Sequence, residues 1–114
     1  MVLNNLAWLY QQAGDPRAED LAKRAYRLAP NPSIADTLGW ILTTQGGADA
    51  GLKYLEGASK ALPDNLDVQY HFAVALQKTG KVNDAREILR KIVAQQGEFD
   101  SKAEAKMLLS QLGG

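Results

Sequence analysis

The chain contains the same segment twice, and a third, altered copy lies further along. Residues 3–10 (LNNLAWLY) and residues 35–42 (ADTLGWIL) share an apolar start, a large residue followed by a small one, and a Trp. Residues 69–76 (QYHFAVAL) keep the large-then-small pair and the final Leu but carry Val instead of Trp. Copies roughly 34 residues apart are typical of solenoids, in which one repeat cannot bury its apolar face alone. The spacing therefore predicts stacked repeats within a single domain.

Apolar residues follow a helical period throughout the chain. Leu3, Leu6, Ala7 and Tyr10 show the pattern, because spacings of three and four place residues on one helix face. Clusters of Gly and Pro separate the periodic segments. The predicted helices cover residues 2–13, 16–29, 32–45, 48–61, 66–79, 82–96 and 101–112. We therefore predict an all-α fold of three helix–turn–helix repeats (2–31, 32–65 and 66–97) and a C-terminal capping helix (101–112).

Capping signals and internal glycines add detail to these helices. Asn31 is placed to cap the third helix, and Ser101 is placed to form a capping box with Glu104. Gly51 and Gly57 lie inside the fourth helix, where each costs about 1 kcal/mol relative to alanine. We expect both glycines to be tolerated because a neighbouring backbone passes close to them.

Composition argues against several classes of function. The 114 residues include 13 basic and 13 acidic side chains, and this balance argues against nucleic acid or an acidic membrane as a partner. There is no Cys, which excludes disulfides, zinc ribbons and a thiol nucleophile. No metal-ligand cluster or phosphate-binding loop is present, so no cofactor is expected. No apolar run reaches about 18 residues, so we predict no insertion into a membrane.

The one His offers the only catalytic candidate. Asp67 lies one turn before His71 on the fifth predicted helix, and a His–Asp contact could orient the imidazole as a general base. The alternative is a polar pair on the surface or in a groove. We prefer the pair, because a lone dyad has neither a partner nucleophile nor a metal. The sequence therefore predicts a protein that is not an enzyme.

The three repeats resemble the tetratricopeptide repeat, a helix–turn–helix unit, over about residues 2–96. The matching positions of the first repeat are Leu3, Leu6, Ala7, Tyr10, Gly14, Ala18, Ala25 and Pro30. Those of the second are Leu38, Gly39, Leu42, Gly46, Leu55, Ala58 and Pro63, and those of the third are Phe72, Ala73, Leu76, Gly80, Ala85 and Leu89. The chain departs from the family at Gly51, Gln69 and Ile92. The resemblance implies a right-handed superhelix that binds proteins or peptides.

In this family the first helix of each pair lines a concave groove. The face left over after the core is assigned therefore gives the predicted peptide-binding residues. They are Asn4, Trp8, Gln11 and Gln12 on the first helix, Asp36, Trp40, Thr43 and Thr44 on the third, and Tyr70, Val74, Gln77 and Lys78 on the fifth. Rigid aromatics among polar groups suit peptide binding. The alternative is that the two tryptophans pack against each other and the next helix. Asn4 and Lys78 alone do not form the family's carboxylate clamp.

Two functional hypotheses follow. The first is a protein-interaction module within a larger scaffold protein. The second is a spacer or self-assembly segment of a longer solenoid, in which Val2, Leu3 and Tyr10 form an uncovered apolar edge that favours a homodimer. The repeats also resemble the C-terminal part of bacterial repeat lipoproteins associated with exosortase and exopolysaccharide export. That resemblance implies a periplasmic or outer-membrane-associated location, with the cytoplasm as the alternative.

Overall fold

The computed structural model describes residues 2–114, which contain seven α-helices and no β-strand. The helices are α1 (Val2–Gln12), α2 (Arg17–Leu28), α3 (Pro32–Thr44), α4 (Ala48–Ala61), α5 (Leu66–Lys78), α6 (Val82–Val93) and α7 (Lys102–Gln111). The predicted all-α solenoid is confirmed. The largest error in a boundary concerns α6, which ends three residues before the predicted end at residue 96. The chain turns there, and Gly97 adopts a left-handed conformation with φ of 98°.

The helices form two layers. Within the pairs, α1 packs on α2, α3 on α4 and α5 on α6, and successive pairs meet through α2–α3 and α4–α5. The first helices also pack against one another, α1 against α3 and α3 against α5. The backbones of α2 and α4 are further apart, and these helices meet through the Tyr26 and Tyr54 rings, whose centroids are 5.2 Å apart. The array therefore curves with α1, α3 and α5 on its concave side. No helix between residues 2 and 114 is long and apolar enough to cross a membrane.

The core combines a few large side chains with many alanines. Leu38, Ile41, Leu55 and Leu89 are fully buried, and Ala7, Ala18, Ala22, Ala25, Ala73 and Ala85 are inaccessible to solvent. Small residues let paired helices approach closely, so the larger partners can fill the remaining space. Leu28, which the periodicity places in the buried stripe of α2, is 68% exposed because it lies in the last turn of that helix.

Helices α3 and α4 approach each other closely at two glycines. A Cβ atom on Gly39 would lie 2.6 Å from Leu55 Cγ, and one on Gly51 would lie 2.6 Å from the Gly39 carbonyl oxygen. The expectation of a nearby backbone is therefore confirmed for Gly51. It is wrong for Gly57, where a Cβ would meet no atom within 4 Å.

Side-chain hydrogen bonds fix several helix ends. Asn31 caps α3 as predicted, its Oδ1 accepting from the Ile34 N–H at 3.0 Å, and Asn65 caps α5 in the same way. The capping box predicted at Ser101 is wrong, because its side chain makes no cap bond. Its backbone N–H instead donates to Asp67 Oδ1 at 2.8 Å. This bond ties the start of α7 to α5.

Candidate functional site

A buried imidazole lies at the centre of the concave face. His71 of α5 is 5% exposed, and its Nδ1–H donates to Asp36 Oδ1 of α3 at 2.8 Å. The predicted His71–Asp67 pair is wrong, because the Asp67 carboxylate accepts instead from the Ser101 N–H. The His–Asp pair therefore joins two repeats across the interface between α3 and α5.

Three aromatic rings surround this imidazole. Trp40 is stacked on His71 with ring centroids 4.3 Å apart and planes inclined by 24°. The Trp8 ring lies 5.9 Å from His71 on one side, and Tyr70 lies 6.0 Å away. Separations of this order are typical of packed aromatic pairs. The two tryptophans thus pack around His71, and both remain partly exposed on the concave face.

Burial also affects the phenol of this cluster. Loss of hydration raises the pKa of Tyr70 above its ordinary value of 10.0, and the negative charge of Glu104 raises it further. A tyrosine phenol is neutral at physiological pH even without this shift, and the raised pKa moves its ionisation still further from that range. Tyr70 therefore contributes a hydrogen-bonding group but no charge to the groove.

Next to the cluster is an open pocket with a volume of about 600 Å³. Its walls come from α1, α3, α5 and the segment that leads into α7. The lining residues are Asn4, Asn5, Trp8, Leu9, Ser33, Asp36, Thr37, Asn65, Asp67, Val68, His71, Asp100 and Ser101. Three of these are Asp and none is Lys or Arg. The Oδ1 atom of Asn4 is buried in this wall without a hydrogen-bond partner.

The structure brings together only part of the predicted groove. Asn4, Trp8 and Asp36 line the pocket, and Trp40 joins them through His71. Tyr70 also belongs to the aromatic cluster, since its ring is 5.9 Å from that of Trp40. These five residues come from α1, α3 and α5, and their contact with a peptide stays a prediction.

Other predicted groove residues lie elsewhere. The prediction that Thr43 lines the groove is wrong. Thr43 is 1% exposed, and its hydroxyl donates to the Gly39 carbonyl at 2.7 Å beneath α4. Val74 is 7% exposed and lines, with Tyr70 and Gln77, a separate hollow of about 220 Å³ against α7. The remaining four residues, which line neither pocket, are Gln11, Gln12, Thr44 and Lys78.

Several pocket residues were not foreseen. The sequence pattern predicts the wrong partner for His71, and at Asp100 and Ser101 it indicates only the cap of a helix. A signal for His71 exists in the repeat period, since Asp36 precedes it by 35 residues. Neighbouring first helices lie side by side, so residues about one period apart face each other across their interface. Applying this rule would have placed His71 beside Asp36.

The pocket does not assemble a catalytic constellation among residues 2–114. Ser33 and Ser101 line it with His71, but neither hydroxyl hydrogen-bonds to the imidazole. A nucleophile–base pair needs that contact. In the part of the chain that the structure describes, no three His, Asp or Glu side chains converge as metal ligands.

Comparisons with known proteins address the fold. The structure of the Yersinia enterocolitica type III secretion translocator chaperone SycD is similar, with a TM-score of 0.79 and 18% sequence identity. The similarity covers 97% of this chain and 81% of that one. No curated protein matches the sequence. None of these findings supports the predicted origin in exopolysaccharide-export lipoproteins, which stays a prediction.

The family is shown by a match along the sequence. The family described as "Tetratricopeptide repeat" matches residues 42–112, which is more than half of the chain and includes α7. The paired helices and the layer formed by α1, α3 and α5 agree with that match. The chain belongs to the tetratricopeptide repeat family.

Proposed function

We propose that this chain is a protein-interaction module that binds a peptide or helix of a partner in its concave groove. The observation that carries the proposal is the open pocket of about 600 Å³, to which α1, α3, α5 and the start of α7 all contribute. Pockets for small molecules typically occupy about 300–1,000 Å³, so this pocket is large enough to receive side chains of a peptide. Family membership supports a protein partner, and SycD is by name a chaperone of another protein.

The aromatic cluster favours a role in binding a partner over a purely structural role in which its rings only close the groove. Trp8 is partly exposed on the pocket wall while His71 holds the neighbouring rings in place. An aromatic ring that is already fixed supplies contact area with little further loss of entropy on binding. A partner would therefore find a rigid surface edged by polar groups.

Peptide selection tests this proposal. Random peptides displayed on phage are selected against the wild-type chain, and the binders are measured by titration calorimetry. Trp8→Ala should weaken the selected peptides by about tenfold or more, because a buried aromatic contact contributes at least about 1.4 kcal/mol. Asn5→Tyr, at an exposed position of the pocket wall, should obstruct binding without touching the aromatic cluster.

The control is Leu28→Ala, which removes an exposed apolar side chain from α2, outside the pocket. It should leave the affinity unchanged. Circular dichroism establishes that each variant is folded, and Asn5→Tyr keeps the test informative if Trp8→Ala unfolds. Selected peptides that bind both pocket variants as tightly as wild type would refute a groove site.

Self-association is the alternative function, and an exposed apolar edge on α1 favours it. Val2 is 80% exposed and Leu9 is 60% exposed, and their spacing of seven places them on one helix face. Tyr10 does not belong to this edge as predicted, because it is partly buried and the Arg17 guanidinium lies 4.6 Å above its ring. The edge is therefore smaller than the sequence indicated.

Sedimentation velocity distinguishes the two functions. If the α1 edge mediates a dimer, the wild type should sediment as a dimer at high concentration and Val2→Ser should return it to a monomer. Leu28→Ser, an equivalent change at another exposed apolar residue, should not. A wild type that stays monomeric over the whole concentration range would contradict the self-assembly hypothesis and leave groove binding unaffected.

A further inference from the structure

We infer that the pocket on the concave face receives a basic side chain, arginine or lysine, from the partner peptide. The inference rests on the proposed function, since it specifies the chemistry of the segment that the groove would bind. We call the five groups that carry it the acceptor set: Asn4, Asp36, Asp67, His71 and Asp100. Each lines the pocket, and together they span α1, α3, α5 and the approach to α7.

The charge of the pocket differs from that of the whole chain. The protein has equal numbers of acidic and basic residues, yet the described lining contains three Asp and no Lys or Arg. The nearest basic residue along the chain, Lys102, is directed elsewhere, because its Nζ donates to the Gly97 carbonyl at 2.7 Å and approaches Glu98. The pocket is thus locally acidic in an otherwise balanced protein, which attracts a cation.

The hydrogen-bonding groups of the pocket point to the same ligand. One first-turn N–H of α3 and one of α5 donate to the caps Asn31 and Asn65, and the Ser101 N–H donates to Asp67. Part of the backbone donors that would attract an anion to these helix ends is therefore occupied, and the carboxylates beside them repel an anion. The lining also offers neutral hydroxyl and amide groups, but its only fully charged side chains of one sign are the three carboxylates.

Two acceptors of the wall have no hydrogen-bond partner. His71 donates its Nδ1–H to Asp36, and in this tautomer Nε2 carries the lone pair. No residue from 2 to 114 hydrogen-bonds to Nε2, which is not fully buried. Asn4 Oδ1 is buried and unpartnered. A buried polar atom without a hydrogen bond costs about 1–3 kcal/mol. An ammonium or guanidinium group, which carries only donors, would relieve that cost.

The arrangement suits a side chain better than a metal ion. No three carboxylate or imidazole groups in residues 2–114 converge closely enough to coordinate one. The acceptors are instead distributed along a pocket that also offers the Trp8 ring and the exposed Leu9 side chain. An aliphatic stem can pack on such apolar atoms while its charged head reaches the carboxylates, and a guanidinium can stack on the indole.

An array of capped peptides tests this inference. All peptides carry the same mixture of serine and leucine residues on both sides of one central residue. That central residue is arginine, lysine, citrulline, norleucine or glutamate. Arginine and lysine peptides should bind the wild-type chain at least about tenfold more tightly than citrulline peptides, because citrulline keeps the shape of arginine without its charge. The preference should shrink as salt is added.

Charge variants test whether this pocket is responsible for the preference for basic peptides. Asp100→Asn changes an exposed carboxylate that makes no hydrogen bond within the described chain, so it should weaken the arginine peptide several-fold and leave the citrulline peptide unchanged. Asp49→Asn, the same change of charge on α4 outside the pocket, should affect neither. Equal binding of arginine and citrulline peptides would overturn the inference, as would an equal effect of the two Asp variants.

The outcomes separate this inference from the proposed function. If norleucine or glutamate peptides bind best and Trp8→Ala weakens them, the groove binds peptides but the basic-anchor inference is wrong. If no peptide of any class binds, both are wrong. If arginine peptides bind and Asp100→Asn selectively weakens them, both are supported.

Discussion

Replacing Gly51 with alanine should destabilise the protein by about 2 kcal/mol, whereas the same replacement at Gly57 should stabilise it by up to about 1 kcal/mol. Both glycines lie inside α4, so each gains the same helix propensity from a methyl group. They differ in what that methyl group meets. At Gly51 it would press on the Gly39 carbonyl oxygen and on the Thr43 hydroxyl, and at Gly57 it would meet open space.

The large effect at Gly51 arises because the obstructing atoms cannot easily move. One is backbone, and the other is the Thr43 hydroxyl that donates to that same carbonyl at 2.7 Å. Relieving the clash therefore requires α3 and α4 to separate or a buried hydrogen bond to break. Overpacking of this kind costs about 1–3 kcal/mol, and a broken buried hydrogen bond adds about 1 kcal/mol. Together they exceed the gain of about 1 kcal/mol in helix propensity.

Urea unfolding followed by circular dichroism measures both variants against wild type. For a chain of this size, a loss of about 2 kcal/mol corresponds to a fall of roughly 10 °C in the thermal midpoint. Thr43→Ala combined with Gly51→Ala should recover part of the loss, since it removes one of the two obstructing groups. If Gly51→Ala stabilised the chain as Gly57→Ala does, α3 and α4 would be further apart than the structure shows.

The two glycines also illustrate what sequence reasoning could and could not provide. The helical period and the Gly and Pro breaks were enough to predict seven helices in the correct order. The expectation for Gly57 failed because two glycines six residues apart lie about 240° apart around a helix, so one neighbouring backbone cannot approach both. Which face meets α3 depends on the crossing of two helices. A single-helix pattern does not contain that information.

The helical pattern predicts only part of the groove as well. Asn4, Trp8 and Asp36, which the helical pattern assigns to the groove face, line the pocket, and their contact with a peptide stays a prediction. Thr43 was placed on that face too, but the closing approach of α4 buries the end of α3. Thr43 follows Gly39 by four residues, about 40° around the helix, so it belongs to the face of α3 that α4 covers. The His71–Asp36 contact was missed because it joins residues of different repeats.

The His71–Asp36 contact gives the second large effect that we expect on the stability of the chain. His71→Ala should destabilise the chain by about 3 kcal/mol, since truncating a buried ring of this size typically costs about 2–5 kcal/mol. The ring contributes in two ways. It fills the space between Trp8, Trp40 and Tyr70, and it is the donor to the Asp36 carboxylate, whose side chain is only 14% exposed.

Variants of Asp36 separate the hydrogen bond from the packing. Asp36→Asn keeps an oxygen that can accept the His71 Nδ1–H at the observed 2.8 Å, so it should cost no more than about 1 kcal/mol. Asp36→Leu leaves that N–H buried without a partner and should cost about 2 kcal/mol. Combined with His71→Phe, which keeps a ring but has no donor, Asp36→Leu should become much less costly, and this coupling is measurable by a double-mutant cycle in urea. Additive losses would mean that the pair makes no hydrogen bond in solution, and the free Nε2 acceptor inferred for the pocket would lose its basis.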